Sequence, residues 1–227
     1  SLSMGVGVVT GNSNVAVGYQ SGQALTSGSE NITIGQGAGD ALTTGTRNVA
    51  IGHAALSAED AYGKNVAIGY LSLLTLDAGA DGYNVAVGYE AGKSVTTGTA
   101  NTIIGGLAGD ALTTATNNVA IGYAALSSEV AGPDNVAIGY FAMGSTDNAR
   151  ANVAIGYAAL QNLDYDSLTY SHNIGIGFNA GNDITTGVQN TIVGSNAGDA
   201  LTTGDNNTAM GYLALSSETL GDRSVAI

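Results

Sequence analysis

The hydrophobic and polar positions of this chain follow one pattern that repeats along nearly its whole length. Each copy begins with Asn, places a small residue between two larger aliphatic ones and ends on Gly, as in NVAIG at 48–52. The copies start at Asn14, Asn31, Asn48, Asn65, Asn84, Asn101, Asn118, Asn135, Asn152, Asn173, Asn190 and Asn207, with a truncated one at Ser224. Ten of the twelve intervals are 17 residues, and the others are 19 and 21. A fixed period of this kind predicts a solenoid of about 13 coils, because one coil alone cannot bury its apolar face.

The five-residue motif predicts a short β-strand that ends in a turn. With the Asn as position 1, positions 2 and 4 are mostly Val or Ile and position 3 is mostly Ala, which is the period-two alternation of a strand. Gly fills position 5 in all twelve complete coils and indicates a turn or a close approach of two backbones. A second short strand is expected around positions 8–13. The sequence therefore predicts an all-β, parallel, two-sheeted coil.

The rest of each coil predicts a narrow, close-packed interior. AGDALTTG coils carry a bulky aliphatic at position 12, such as Leu42, whereas AALSSE coils carry it at position 9, such as Leu126. One bulky side chain per coil is what a thin core can hold. The coils at 65–83 and 152–172 are longer and carry an aliphatic at both positions. We expect their extra residues to bulge there.

Stacked coils would place like residues above one another. The Asn residues at position 1 are expected to form an amide ladder, as Asn does in cross-β stacks. The Tyr residues common at position 6 are expected to form an interrupted aromatic ladder. Position 3 carries Ala, Gly, Thr or Ile rather than polar or charged side chains. We interpret it as an apolar stripe on the outside that is covered by sister chains.

Composition and charge exclude several classes of partner. The chain has 18 acidic against 5 basic residues, hence a net charge of -13, although only 10% of residues are charged. This balance argues against binding nucleic acid or anionic membrane surfaces. No apolar run is long enough to cross a bilayer, so we expect no direct membrane insertion. Cys is absent, which excludes disulfides and thiolate metal sites.

The NVAIG strand-turn, the neighbouring Ala-Gly or Ala-Leu and a coil of this size resemble the YadA-like head repeats of trimeric autotransporter adhesins. The NVAIGY and TTG repeats also resemble those in the fibre regions of phage tail proteins. The resemblance covers nearly the whole chain. It implies a left-handed parallel β-roll, a parallel homotrimer packed through the NVAIG sheets, and an adhesive or fibre role outside the cell. Handedness and the number of chains follow from the resemblance alone. As a domain, 1–227 is expected to be a single solenoid, an uncapped fragment of a longer fibre or adhesin.

Candidate chemistry is sparse. His53 and His172 have no nucleophile or carboxylate at a recognisable motif spacing. We expect no catalytic residue, no metal site and no cofactor. Binding is more plausible where insertions break the repeat, since inserted loops of solenoids often contact partners. The candidate receptor-contact residues are Asp77, Asp81 and Tyr83 in the 65–83 coil and Tyr165, Asp166, Tyr170 and His172 in the 152–172 coil. The alternative is that both inserts are passive surface bulges.

These observations favour a non-enzymatic structural or adhesive role. The expected domain is part of a fibre or head that attaches to a cell surface or matrix, through a host-cell surface protein or a glycan. Its expected location is extracellular, on a bacterial cell surface or in a virion fibre. One alternative is a polysaccharide-processing β-helix, which would need acidic residues clustered on one groove. The other is an ice-binding solenoid, suggested by the Thr pairs at positions 13 and 14, such as Thr43-Thr44.

Overall fold

The computed structural model describes residues 10–227, which form a parallel β-solenoid of about twelve turns with no helix. The coil expected to precede Asn14 lies mostly outside the described residues. The described part of the chain has no helix that is long and apolar enough to cross a membrane. The chain divides into two compact units, Ser1–Ala115 and Thr116–Ile227. The same coil geometry is found in each unit, so the predicted parallel solenoid is confirmed.

Each of the twelve complete NVAIG motifs forms a three-residue strand, as predicted, and the truncated one at Ser224 forms a strand of two residues. The strands are β1 Val15–Val17, β2 Ile32–Ile34, β3 Val49–Ile51, β4 Val66–Ile68, β5 Val85–Val87, β6 Thr102–Ile104, β7 Val119–Ile121, β8 Val136–Ile138, β9 Asp147–Arg150, β10 Val153–Ile155, β11 Asp164–Tyr170, β12 Ile174–Ile176, β13 Thr191–Val193, β14 Thr208–Met210 and β15 Val225–Ala226. In the first unit β1–β6 pair in order, all in parallel. In the second unit β7, β8, β10 and β12–β15 do the same, while β9 and β11 form a separate parallel pair. Equivalent positions of successive coils are therefore in register.

The predicted second strand at positions 8–13 is wrong. Those positions form turns, because the residues at positions 7 and 9 have left-handed backbone in coil after coil, for example Ala124 (φ 50°) and Leu126 (φ 55°). A left-handed residue cannot continue an extended strand. Backbone hydrogen bonds still join this side of neighbouring coils, as from Gly22 N to Ala38 O (3.0 Å). Each coil is thus a strand on one side and a hydrogen-bonded stack of turns on the other.

The interior is filled as the sequence predicts. Leu42 and Leu112 at position 12 and Leu126 and Met143 at position 9 are fully buried. In the two longer coils both aliphatic positions are buried, at Leu73 and Leu76 and at Leu160 and Leu163. Burying each such side chain contributes about 1.5–3 kcal/mol. Because each coil supplies only one or two of them, stability depends on continuous stacking.

Position 3 faces the interior of the coil, which corrects the expectation that it lies outside. Ala50 and Ala67 are fully buried within their own chain, whereas the flanking residues at positions 2 and 4 are partly or largely exposed. The small size of position 3 is therefore a packing requirement. Where position 3 is large, as at Ile103, it occupies space left by Gly at position 9: a Cβ on Gly92 would lie 2.9 Å from the Ile103 Cδ1 atom. Large and small side chains alternate to keep one core volume.

The Asn residues at position 1 form a buried, hydrogen-bonded ladder. In one rung the side-chain oxygen of Asn190 accepts the backbone N–H of Asn207 (2.9 Å) and its Nδ2 group (3.0 Å). The Asn190 Nδ2 group donates to Asn173 Oδ1 (3.2 Å) and to the carbonyl of Gly204 (2.8 Å). The bond to Asn173 joins neighbouring coils, and the bond to Gly204 connects the two ends of the same coil. Asn is suited to this position because its amide both donates and accepts.

The Gly at position 5 is required by conformation and by close approach. Gly35 has φ 130°, which is accessible to Gly but not to residues with a Cβ. A Cβ at Gly35 would also lie 2.5 Å from the carbonyl oxygen of Gly52 in the next coil. The same arrangement recurs at the equivalent glycines of both units. The invariant Gly of the repeat is therefore part of the stacking contact.

Candidate functional site

The first insert, in the 65–83 coil, neutralises a cation that ends the preceding coil. Lys64 Nζ donates to Asp81 Oδ2 (2.5 Å) and to the Tyr83 hydroxyl (2.9 Å), and lies 4.9 Å from the centre of the Tyr83 ring. The hydrogen bond from Lys64 lowers the pKa of Asp81, and the same bond raises the pKa of Lys64. Two of the three predicted contact residues of this insert, Asp81 and Tyr83, are thus both bound to Lys64.

Asp77, the third candidate of this insert, belongs to a group of three carboxylates. One oxygen from each of Glu59, Asp60 and Asp77 lies within 4.8 Å of the others. Glu59 is fully buried and accepts the backbone N–H groups of Tyr62 (3.0 Å) and Ala78 (3.4 Å). Burial raises the Glu59 pKa more than these bonds lower it. Since its oxygens accept hydrogen bonds from backbone N–H groups in the interior, Glu59 stabilises the following turn. Of the three carboxylates, only Asp60 and Asp77 are exposed.

Glu129 repeats this role in the second unit. It is fully buried, and its carboxylate accepts the backbone N–H groups of Gly132 (2.6 Å), Ala131 (3.2 Å) and Ala149 (3.0 Å). Burial is the larger effect and raises its pKa. The sequence places Glu59 and Glu129 at position 12 of AALSSE coils, where an AGDALTTG coil has its aliphatic. Their role in binding the following turn is not evident from the sequence pattern.

The second insert is a bulge on β11. The pairing of β9 with β11 sets Asp147 opposite Asp164 and Ala149 opposite Thr169, so the extra residues of the longer coil lie between. Residues 166–168 of this bulge are exposed. The bulge therefore presents Asp166 and the neighbouring Leu168 to solvent.

Tyr165 differs from the prediction of a contact residue, because it is 5% exposed. Its hydroxyl donates to the Gly187 carbonyl (2.8 Å) and accepts a hydrogen bond from Asn173 Nδ2 (3.2 Å). Burial raises the Tyr165 pKa. The side chain points inward because residue 165 follows Asp164 in an alternating strand, and it fills the wider coil. Tyr165 anchors the bulge and is not available to a receptor.

Three planar groups stack at the end of this bulge. The Arg150 guanidinium carbon lies 3.9 Å from the centre of the Tyr170 ring, and the Tyr170 and His172 rings stack with centroids 5.7 Å apart and planes 16° apart. Tyr170 is 58% exposed, and His172 is exposed as well. The pairing of Arg150 with Tyr170 in the β9–β11 register brings the cation onto the ring. The sequence marked Tyr170 and His172 but gave no signal for Arg150, which lies in the preceding coil.

In each of the two units, the outward side of the strands carries an apolar band. Val15, Val17, Ile34, Ile155 and Ile176, at positions 2 and 4, are among its exposed members. Beside it runs the position-6 column, where aromatic rings stack. The stacked pairs are His53–Tyr70 and Tyr70–Tyr89 in the first unit, and Tyr123–Tyr140, Tyr140–Tyr157 and Tyr157–Phe178 in the second, with centroids 5.0–5.4 Å apart. The apolar band and the aromatic column together are called the Val/Ile/Tyr face below.

The Thr residues at position 13 do not present a free hydroxyl array. Thr26 Oγ1 donates to the Thr43 carbonyl (3.0 Å), and Thr202 Oγ1 donates to the Thr219 carbonyl (2.8 Å). The same bond joins Thr185 to Thr202. These hydroxyls reinforce coil stacking, which weighs against the ice-binding alternative.

Comparisons with protein-family models, with curated protein sequences and with solved structures each found no match to this chain. No enclosed cavity or cleft was found among residues 10–227. The functional features of the described residues therefore lie on open surface: the Val/Ile/Tyr face and the two inserts.

Proposed function

We propose that this chain is a non-catalytic, adhesive or structural β-roll that works as a parallel homotrimer in an extended fibre or head. The roll is left-handed, its place is outside the cell, on a bacterial surface or in a virion fibre, and it attaches to a cell surface or matrix. The observation that carries the proposal is the Val/Ile/Tyr face. Handedness and the number of three chains are taken from the resemblance to YadA-like head repeats.

The Val/Ile/Tyr face is the kind of surface that a second chain covers. Soluble monomers rarely expose long contiguous apolar patches, and buried interface cores are rich in Tyr and poor in charge. Ile34 in β2 and Ile176 in β12 are each 37% exposed although a strand pairs on both sides of them. A symmetric assembly lets the same face cover itself in each copy. The repeat supplies this face once per coil, so a small gain per coil accumulates along the whole contact.

The oligomer tests this proposal directly. Sedimentation equilibrium of the intact chain should give three times the monomer mass of 22.3 kDa. Ile155→Glu places a charge on the Val/Ile/Tyr face and should weaken the trimer at least tenfold, since burying an unpaired charge is costly. Leu168→Glu is the matched control, because Leu168 is 41% exposed and Ile155 is 36% exposed, yet Leu168 lies in the insert bulge. A monomeric parent protein, or equal effects of both variants, would contradict the proposal.

The adhesive part is tested separately from the assembly. Trimeric protein should bind cells or matrix in a surface-binding assay and release no sugar from the glycans it contacts. Appearance of new reducing ends in the glycan would support the polysaccharide-processing alternative instead. Thermal hysteresis of the purified protein would support the ice-binding alternative.

A further inference from the structure

We infer that Arg150, Tyr170 and His172 form a binding site for a sugar that carries a single carboxylate, such as a uronic or sialic acid at the end of a glycan. This inference rests on the proposed adhesive function and names its ligand class. It goes beyond the sequence prediction, which found neither the cation nor the charge of the ligand. The three side chains are called the Arg150 stack.

Among residues 10–227, the Arg150 guanidinium has no protein acceptor. It is in none of the ion pairs among residues 10–227, and its Nε–H is buried without a hydrogen-bond partner. Within the part of the chain that the structure describes, its only side-chain interaction is with the face of the Tyr170 ring. A guanidinium held face-on to a ring keeps its two Nη groups directed in its own plane, where a carboxylate can accept two parallel hydrogen bonds from them.

Other basic residues of this chain do have acidic partners, unlike Arg150. Arg47 pairs with Glu30 (2.8 Å), and Lys64 pairs with Asp81. Both pairs join residues one coil apart, so a carboxylate at the equivalent place of the next coil would satisfy Arg150 as well. In this position the sequence provides Tyr170 instead. Lys93 pairs with Glu90, so Arg150 and Arg223 are the two of the five basic residues without an ion pair among residues 10–227. Of these two, only Arg150 lies on an aromatic ring.

The surroundings select for a sugar with one carboxylate. Tyr170 and His172 add exposed polar ring atoms, which can hydrogen-bond to hydroxyl groups. Asp164 and Asp166 are exposed on the same strand and accept hydrogen bonds from sugar hydroxyls. These acids, together with the net charge of -13, repel a polyanion such as a sulfated glycan or nucleic acid. A single carboxylate surrounded by hydroxyls matches one cation, two rings and two acceptors.

The test compares sugars that differ only in charge. Saturation-transfer NMR and titration with a glucuronic acid-terminated trisaccharide, with its methyl ester and with a glucose-terminated analogue should show binding of the acid at least tenfold tighter than of either neutral sugar. An acetylated Gly-Glu-Gly peptide of the same charge should bind at least tenfold more weakly than the acid sugar. Equal binding of acid and neutral sugars, tighter binding of the peptide, or no binding of any probe would overturn the inference. This arm needs no variant protein.

Variants assign the effect to the residue. Arg150→Gln should abolish the preference for the acid, and Arg150→Lys should reduce it because Lys lacks the planar fork. Arg47→Gln is the control, since it removes an Arg that is already paired with Glu30, and it should leave the preference unchanged. Trimeric mass and circular dichroism check that each variant is folded. Persistent cell attachment by Arg150→Gln trimers would refute this site but leave the adhesive function standing, whereas attachment by none of the trimers would refute that function.

Discussion

Removing one Asn side chain from the ladder should destabilise the solenoid more than the loss of so small a side chain suggests. In Asn190→Ala the backbone N–H of Asn207 loses its acceptor, and the carbonyl of Gly204 loses its donor. Both groups are buried, so neither can form a replacement hydrogen bond with water. An orphaned buried polar group costs about 1–3 kcal/mol, so the two together should cost about 4 kcal/mol. The Asn207 amide keeps its bond to the Gly221 carbonyl (2.6 Å) and adds less.

Urea unfolding followed by circular dichroism measures this loss, at one protein concentration because assembly shifts apparent stability. Asn190→Leu keeps the number and branching of the Asn side-chain heavy atoms and replaces the amide O and N with methyl groups. It should be as unstable as Asn190→Ala if hydrogen bonds dominate. Asn12→Ala is the control, since Asn12 is exposed and its side chain forms none of the hydrogen bonds found among residues 10–227. Recovery of stability in Asn190→Leu, or an equal loss in Asn12→Ala, would refute the ladder as the source of the energy.

Three further substitutions test the backbone and the buried acid, each by urea unfolding. Gly35→Ala should cost about 3 kcal/mol or more, because its Cβ meets backbone at φ 130°, whereas Gly79→Ala, with open space at φ 65°, should cost only about 1–2 kcal/mol. Ala100→Gly should stabilise by about 0.5–1 kcal/mol by relieving a φ of 58°, while Ala61→Gly, whose φ is not positive, should not. The raised pKa of Glu129 contributes stability that is full below pH 4.5 and is lost as the pH rises through the raised pKa. As the pH is lowered from 7 to 4.5, the free energy of unfolding of the parent protein should therefore rise relative to that of Glu129→Gln. A difference between the two proteins that does not change with pH would contradict this.

The repeat made the architecture predictable because stacking turns a sequence period directly into a structural one. Equal intervals between Asn residues fix which residues lie above one another, and amide chemistry then dictates a ladder. The same reasoning finds the aliphatic core at positions 9 and 12. It misplaced the second strand, because a run of Ala, Leu and Thr gives no sign that Ala124 and Leu126 adopt left-handed backbone.

The candidate site was only partly predictable. Insertions in the repeat pointed to the two bulges, and Tyr170 and His172 are exposed there. Tyr165 has the same residue type as Tyr170 and lies five residues away, but it turns inward. Arg150 belongs to the preceding coil, and only the β9–β11 register brings it to Tyr170. Contacts between coils of unequal length cannot be derived by counting, since the bulge absorbs an unknown number of residues.

The sequence by itself determined the period, the strand in each coil, the Asn and Gly columns and the low charge. Only the tertiary structure decided which side of the strand is inside. Alternation places positions 2 and 4 opposite position 3, but both sides are apolar, so polarity does not distinguish them. Size does so once the coil is closed: the thin interior holds the small side chain of Ala67 beside a single bulky aliphatic, and Val66 and Ile68 must face outward.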